Sequence, residues 1–135
     1  MTGDGLGTSG RERLKPRIDG TAFGSITVEG TVFEHDVIIR PDGGVKKRKK
    51  KLSKAVYGTS HKISLQEAKQ VCGQGAGADR LIVGSGQYGN VELSPEAVAY
   101  MQRRKCRVVL LPTPEAIDAW NETEGGAIGL FHVTC

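Results

Sequence analysis

From residue 79 onward the chain leaves little choice of fold. Leu81-Ile82-Val83 is a continuous apolar run, the pattern of a strand covered on both faces. Cys106 to Leu111 repeats it, and Ala127 to Cys135 supplies a third run. Between the runs stand two helix starts of one design, Ser94-Pro95-Glu96 and Thr113-Pro114-Glu115. Each offers a capping hydroxyl, a proline at the first helical position and an acid in the first turn. They predict helices to about Arg104 and about Glu122, the second closed by Gly125-Gly126. Helices that separate strands of one sheet act as crossovers, so parallel pairing is expected here. Upstream, Ser64 and Glu67 form a capping box that opens a helix through about Cys72, ended by Gly73, Gly75 and Gly77.

The first half reads differently. In GSITVEG (24–30), Ile26 and Val28 alternate with polar neighbours, as in a half-buried strand. TVFEHDVIIR (31–40) is a second strand, and Pro41-Asp42-Gly43-Gly44 is a turn leading to a third at Val45. These three predict an antiparallel meander. Lys46 to Lys54 either extends the third strand or enters a helical turn over Leu52 to Val56. The order is then β-β-β-α-β-α-β-α-β. The expected fold class is α/β: a single small domain with an N-terminal antiparallel meander and a mixed, partly parallel sheet with helices packed on it. At 135 residues the chain is long enough for one domain with its own core. Residues 1–17 carry almost no apolar side chains, which predicts a disordered tail before a domain over 18–135.

No apolar run approaches the ~18 residues that would span a bilayer, and the N-terminus has no apolar signal region. No membrane association and a cytoplasmic location are therefore expected. Cys72, Cys106 and Cys135 match no disulfide or zinc framework, and His132 with Cys135 is only half a zinc site. No metal is expected. The net charge of +4 is local: six cations form one run, Lys46, Lys47, Arg48, Lys49, Lys50 and Lys51. Without that run the remaining cations fall below the 15 acids.

One motif raises the question of chemistry. Gly84-Ser85-Gly86-Gln87-Tyr88-Gly89 is a literal G-x-G-x-x-G after an apolar strand. A dinucleotide site needs a helix opening within that loop and an acid about 20 residues on for the ribose. Here the helix begins five residues late at Ser94, and the next strand ends Leu110-Leu111-Pro112 without a carboxylate. The motif reads as a tight connection, and no cofactor is expected. Ser85 lacks the flanking glycines of a nucleophile elbow, since Val83 and Gln87 occupy those positions. His61 beside Ser60 has no third orienting group in sequence, and a strand histidine such as His132 is more often packed than catalytic. No enzyme activity is expected.

The meander, GTSHK, LIVGSG, SPEAVAYMQRRKCRVVLLPTPEAIDAWN and the closing GLFHVTC together resemble the small Mth-type domain family. That family includes the adipogenesis-associated Mth domain protein and, more distantly, the complex I assembly factor 3 proteins. The resemblance covers about residues 18–135. Tyr100, Thr113 to Glu115, Ala119-Trp120-Asn121 and FHVTC, in family order, are its most specific part. It implies a small α/β sandwich, no catalytic residues, and a cytoplasmic or, in the assembly-factor branch, mitochondrial location. The long tail and the Lys46 to Lys51 run depart from the family pattern. The function expected is a non-enzymatic interaction or assembly module with an unidentified protein partner. Two alternatives stand beside it. One is polyanion or nucleic-acid binding by Lys46 to Lys51, with no interleaved aromatics to stack bases. The other is a small-ligand crevice at the strand ends built from Gly84, Ser85, Gly86, Gln87 and Tyr88. The sequence does not specify an oligomeric state.

Overall fold

The structure is a computed structural model that describes residues 15–74 and 77–135. The expected tail lies largely outside those residues, as does Gly75. The domain starts earlier than residue 18. Pro16 is buried, its carbonyl accepts a hydrogen bond from Trp120 Nε1 at 2.9 Å, and Lys15 Nζ reaches the carbonyls of Trp120 and Thr123. An indole N–H buried in a core needs such an acceptor, which the sequence before Ile18 supplies from its backbone.

Ten strands and four helices follow in the described residues. β1 (Ile18–Ala22), β2 (Ser25–Val28) and β3 (Thr31–Phe33) form an antiparallel sheet of their own. β4 (Val37–Ile39) and β5 (Val45–Lys47) belong instead to a five-stranded sheet of order β5-β4-β10-β7-β9. The segment expected to be one strand over 31–40 is thus two, in different sheets. The break falls at Asp36, whose carboxylate is required in the interior. A strand over 18–22, not expected from sequence, completes the meander.

After Val45 both alternatives are realised in turn: Lys46 and Lys47 extend β5, and α1 (Lys51–Tyr57) follows. β6 (Lys62–Ile63) and α2 (Leu65–Gly73) come next, then β7 (Arg80–Ser85), β8 (Glu92–Leu93), α3 (Pro95–Arg103) and β9 (Arg107–Leu111). α4 (Thr113–Glu122) and β10 (Ala127–His132) close the chain. β10 and β9 flank β7 in parallel, while β4 and β5 extend the sheet antiparallel, so the sheet is mixed as expected.

Residue alternation sends two sets of side chains to opposite faces of this sheet. Ile38, Leu81, Val83, Ile128 and Leu130 meet α2 and α3 through Ala68, Val71, Ala97 and Met101. Val37, Ile39, Ile82, Ala127 and Phe131 meet α4 and the small sheet through Ile117, Trp120, Ile18 and Ile26. Trp120 stands edge-on to Phe131 with centroids 6.0 Å apart. Gly129 makes room for both, since a Cβ there would lie 2.5 Å from Phe131 Cε2 and 3.1 Å from Trp120 Cζ3.

The helix starts expected at Ser64 and Ser94 are present, and their hydroxyls accept from the backbone N–H of Glu67 and Ala97. Thr113 differs. Its hydroxyl donates to the His132 carbonyl at 2.6 Å and accepts from the Gly86 N–H at 2.9 Å, so it ties two strand ends together instead of capping α4. β9 also departs from expectation. It is an edge strand, with Leu110 41% exposed, and its apolar run is not covered on both sides.

Candidate functional site

The glycine loop is fixed by its own chain. A Cβ at Gly84 would lie 2.8 Å from Thr113 Oγ1 and 2.9 Å from Phe131 Cδ1. At Gly86 it would meet the Cys135 carbonyl oxygen at 2.5 Å, and φ there is +105°. Gly89, at φ +73°, closes the turn by donating to the Gly86 carbonyl. Each glycine therefore has a reason inside the fold. The amides that would cradle a phosphate are engaged as well: Gly86 N–H with Thr113, Gln87 N–H with the Thr134 carbonyl, and Asn90 N–H with the Cys135 carbonyl. The first amide of α4 is engaged too, because Thr113 N–H donates to the Gly86 carbonyl. Of the crevice residues expected from sequence, Ser85 is buried and Gln87 donates to Thr21 Oγ1. Tyr88 is 72% exposed against Phe23, with ring centroids 6.2 Å apart.

The basic run does not form one patch. Lys46, Lys47, Lys49 and Lys51 are exposed and Lys50 is half-buried, but Arg48 is 3% exposed. Treating Arg48 as a member of an outward polyanion site is corrected on this point. Its guanidinium donates to Glu67 Oε2 at 2.6 Å, to Asp36 Oδ2 at 2.9 Å and to the Ser60 carbonyl at 2.7 Å. A fork of donors suits two carboxylates at once, which an ammonium could not match. Glu67 also takes the Ser53 hydroxyl. Its carboxylate is therefore drawn away from the reciprocal half of the capping box.

Asp36 is the centre of this network. His132 Nδ1 lies 2.7 Å from Oδ2, and Val133 N–H donates to Oδ1 at 2.9 Å. Burial opposes the Asp36 charge, yet the hydrogen bond and charge of His132, the Val133 amide and Arg48 outweigh it and hold the carboxyl at about 2. The Arg48 guanidinium likewise is raised: burial works against it, and Glu67 and then Asp36 outweigh that loss. Thr134 Oγ1 sits 3.1 Å from His132 Nε2, so hydroxyl, imidazole and carboxylate stand in line. That order resembles a nucleophile relay. However, His132 is 1% exposed and His61 covers its ring edge-on at 5.4 Å. Thr134 itself is half-buried, and through His132 and the Val133 N–H the Asp36 carboxylate fastens β10 to the segment that leads into β4.

A different surface lies open. β9 pairs only with β7, and Arg107 N–H donates inward to the Asp79 carbonyl. In a parallel strand alternate residues address opposite sides. Val108 and Leu110 therefore present their N–H and C=O groups outward, where no described strand meets them. Beside this edge a groove of about 490 Å³ runs between β9, α3 and β8. Leu93, Val98, Met101, Cys106, Val108 and Leu110 supply its apolar lining. Burial pushes the Cys106 thiol up to about 11, so it lines the groove as an apolar group. Glu92, Gln102 and Arg107 stand at its rim. Arg103, Arg104, Lys105 and Arg107 are all exposed, and none pairs with an acid among the described residues. Nothing in the sequence singles out this second cationic cluster, because Gln102 to Arg107 reads there as a helix end and a strand start.

The fold is that of a small Mth938-like α/β domain. It is shared with a Mth938-like domain protein of Bordetella pertussis at TM-score 0.65 and 18% identity, over 89% of this chain and 87% of that one. The chain belongs to the DUF498/DUF598 family of proteins of unknown function, whose family model matches residues 18–129. A conserved hypothetical protein of Pyrococcus horikoshii is 34% identical over 88% of this chain and 99% of its own, with TM-score 0.82. The protein MT938 is 30% identical over 89% of this chain and 99% of its own, at TM-score 0.73. No described helix is long and apolar enough to cross a membrane.

Proposed function

We propose that this domain is a non-enzymatic interaction module that receives a protein partner at the β9 edge. The observation that carries the reading is the pairing of an unblunted edge strand with an apolar groove. Sheet edges invite strand addition, and proteins usually blunt them with lysine, proline or a bulge. The opposite edge does so, since β5 ends in exposed Lys46 and Lys47. Arg107 to Leu111 has four apolar residues in succession and no such guard within them. Backbone pairing would supply affinity there, and the groove would select side chains at alternate positions. The cytoplasm is the compartment that best suits three free cysteines, two of them buried.

Site-specific photocrosslinking tests this. A photoreactive residue at Val98 or Leu110 should give a discrete adduct with one identified protein in living cells. The same residue at Val32, also exposed but on the other sheet, should not. Equal labelling at Val32, or none at the groove, would overturn the reading.

A further inference from the structure

Resting on that reading, we infer the chemistry of the partner: an extended segment whose apolar residues alternate with acidic ones. Three observations converge on it. The first is the edge itself, where the outward amides and carbonyls of Val108 and Leu110 are spaced to pair with an extended backbone. The second is the groove, in which Val98 and Leu110 are each 41% exposed above Met101, which is buried. Side chains of an added strand that point toward α3 would enter it, at every second position.

The third is charge. Four cations fall in five residues, Arg103, Arg104, Lys105 and Arg107: Arg107 lines the groove and the other three directly precede its lining residue Cys106, while the lining contributes one acid, Glu92. The helix dipole accounts for part of this, because cations at the last turn of α3 complement its negative end. It does not account for Arg107, which lies in β9, nor for the backbone of Lys105. Lys105 has φ +55°, the left-handed position after a helix that glycine fills at no steric cost. A lysine held there keeps a cation beside the edge against a local conformational cost. A second copy of this chain would bring the same cations into the interface twice, with little acid to meet them. Single-stranded nucleic acid would meet the cations but find an apolar trough where phosphates and bases need partners. An acidic, alternately apolar strand satisfies the edge, the trough and the charge together.

The probe is a short capped peptide that alternates glutamate with valine or leucine, and its twin with lysine for glutamate. Fluorescence anisotropy at near-physiological salt should give micromolar binding of the acidic peptide and at least about tenfold weaker binding of the basic one. Hydrogen exchange should slow at Val108 and Leu110 and not along Lys46 and Lys47. Arg104→Glu with Arg107→Glu should cost the acidic peptide about tenfold or more and improve the basic one. Leu110→Asp should abolish binding of both. Equal binding of the two peptides, protection elsewhere, or tighter binding of single-stranded DNA at these residues would overturn the inference. So would a dimer whose β9 amides are protected without peptide. If crosslinking at Val98 and Leu110 finds a partner while the acidic peptide fails, the assigned chemistry is wrong and the docking surface stands. Absence of any groove adduct removes the surface itself.

Discussion

Lys46–Lys51 and Arg103–Arg107 are near-equivalents as strings of cations, and the fold treats them in opposite ways. The first is interrupted from within. Arg48 turns into the interior to join Asp36 and Glu67, so its neighbours are spread over an edge strand and the start of α1. The second stays wholly outside, interrupted only by Cys106, and its last member, Arg107, lines the groove. A run of charge therefore has no function of its own. What matters is whether the carboxylates that match it lie inside the chain or must come from elsewhere.

The sharpest test of the contrast is Arg48. Replacing it with alanine leaves Glu67 buried without a counter-charge and Asp36 with only His132, the Val133 amide and Lys50 at 3.7 Å, a loss expected to reach about 3–5 kcal/mol. Urea denaturation should show it, and a change below about 1 kcal/mol would mean that water replaces the guanidinium. The same substitution at Arg104, which loses only a stacking contact with the half-buried Tyr100 ring at 5.5 Å, should cost no more than about 1 kcal/mol.

Acid should attack the first region and spare the second. Asp36 sits at about 2 in the folded protein, below its ordinary value of 3.8. Its folded form thus gains stability that is present above about pH 4 and is lost as pH falls toward 2, on the order of 2 kcal/mol. Denaturation midpoints from pH 5 to pH 2 measure this. Asp36→Asn, less stable throughout, should show a flatter dependence; an equally steep one would place the acid sensitivity elsewhere.

Lys47, Lys49 and Lys51 are solvated, and their joint replacement by glutamine should leave stability within about 0.5 kcal/mol. Non-specific binding to duplex DNA should lose about 2.7 from its log–log salt slope if all three touch phosphate. Submicromolar binding that survives physiological salt and disappears in this variant would restore the polyanion reading of the first run. The smallest effect is expected at Lys105. Lys105→Gly relieves a left-handed backbone and should stabilise the domain by up to about 1 kcal/mol, less the entropy glycine adds to the unfolded chain. A destabilised variant would show that the lysine side chain packs more than its exposure indicates.

Much of this architecture was legible because it depends on local signals. Ser94-Pro95-Glu96 set a helix start, and the apolar runs after Arg80 and Cys106 set strands. The resemblance carried by the last forty residues led to the right family. Four departures share one cause. Asp36 splits an otherwise good strand, Thr113 leaves its capping role, Glu67 abandons the reciprocal cap and Arg48 leaves its run. In each case a polar side chain answers a partner at least a dozen residues away, which no local pattern encodes. Trp120 is the same case in reverse, since its indole recruits Pro16 from a segment that composition alone consigns to a tail.

Periodicity, capping residues and φ preferences act over a few positions. They were enough to specify the parallel strand–helix alternation and an antiparallel N-terminal half, though not its β1 strand or the split of residues 31–40 between two sheets. Which strand stands at the edge of the sheet is a different matter, and it emerged with the folded chain. Val108 to Leu111 has the composition of a central strand, and nothing in its letters reveals that its outer side lacks a neighbour. Edge or centre is a property of how many strands reach the sheet and in what order. The same ordering left Arg103 to Arg107 outside and drew Arg48 in, because a buried charge is tolerated only where the fold has already gathered its counter-charges.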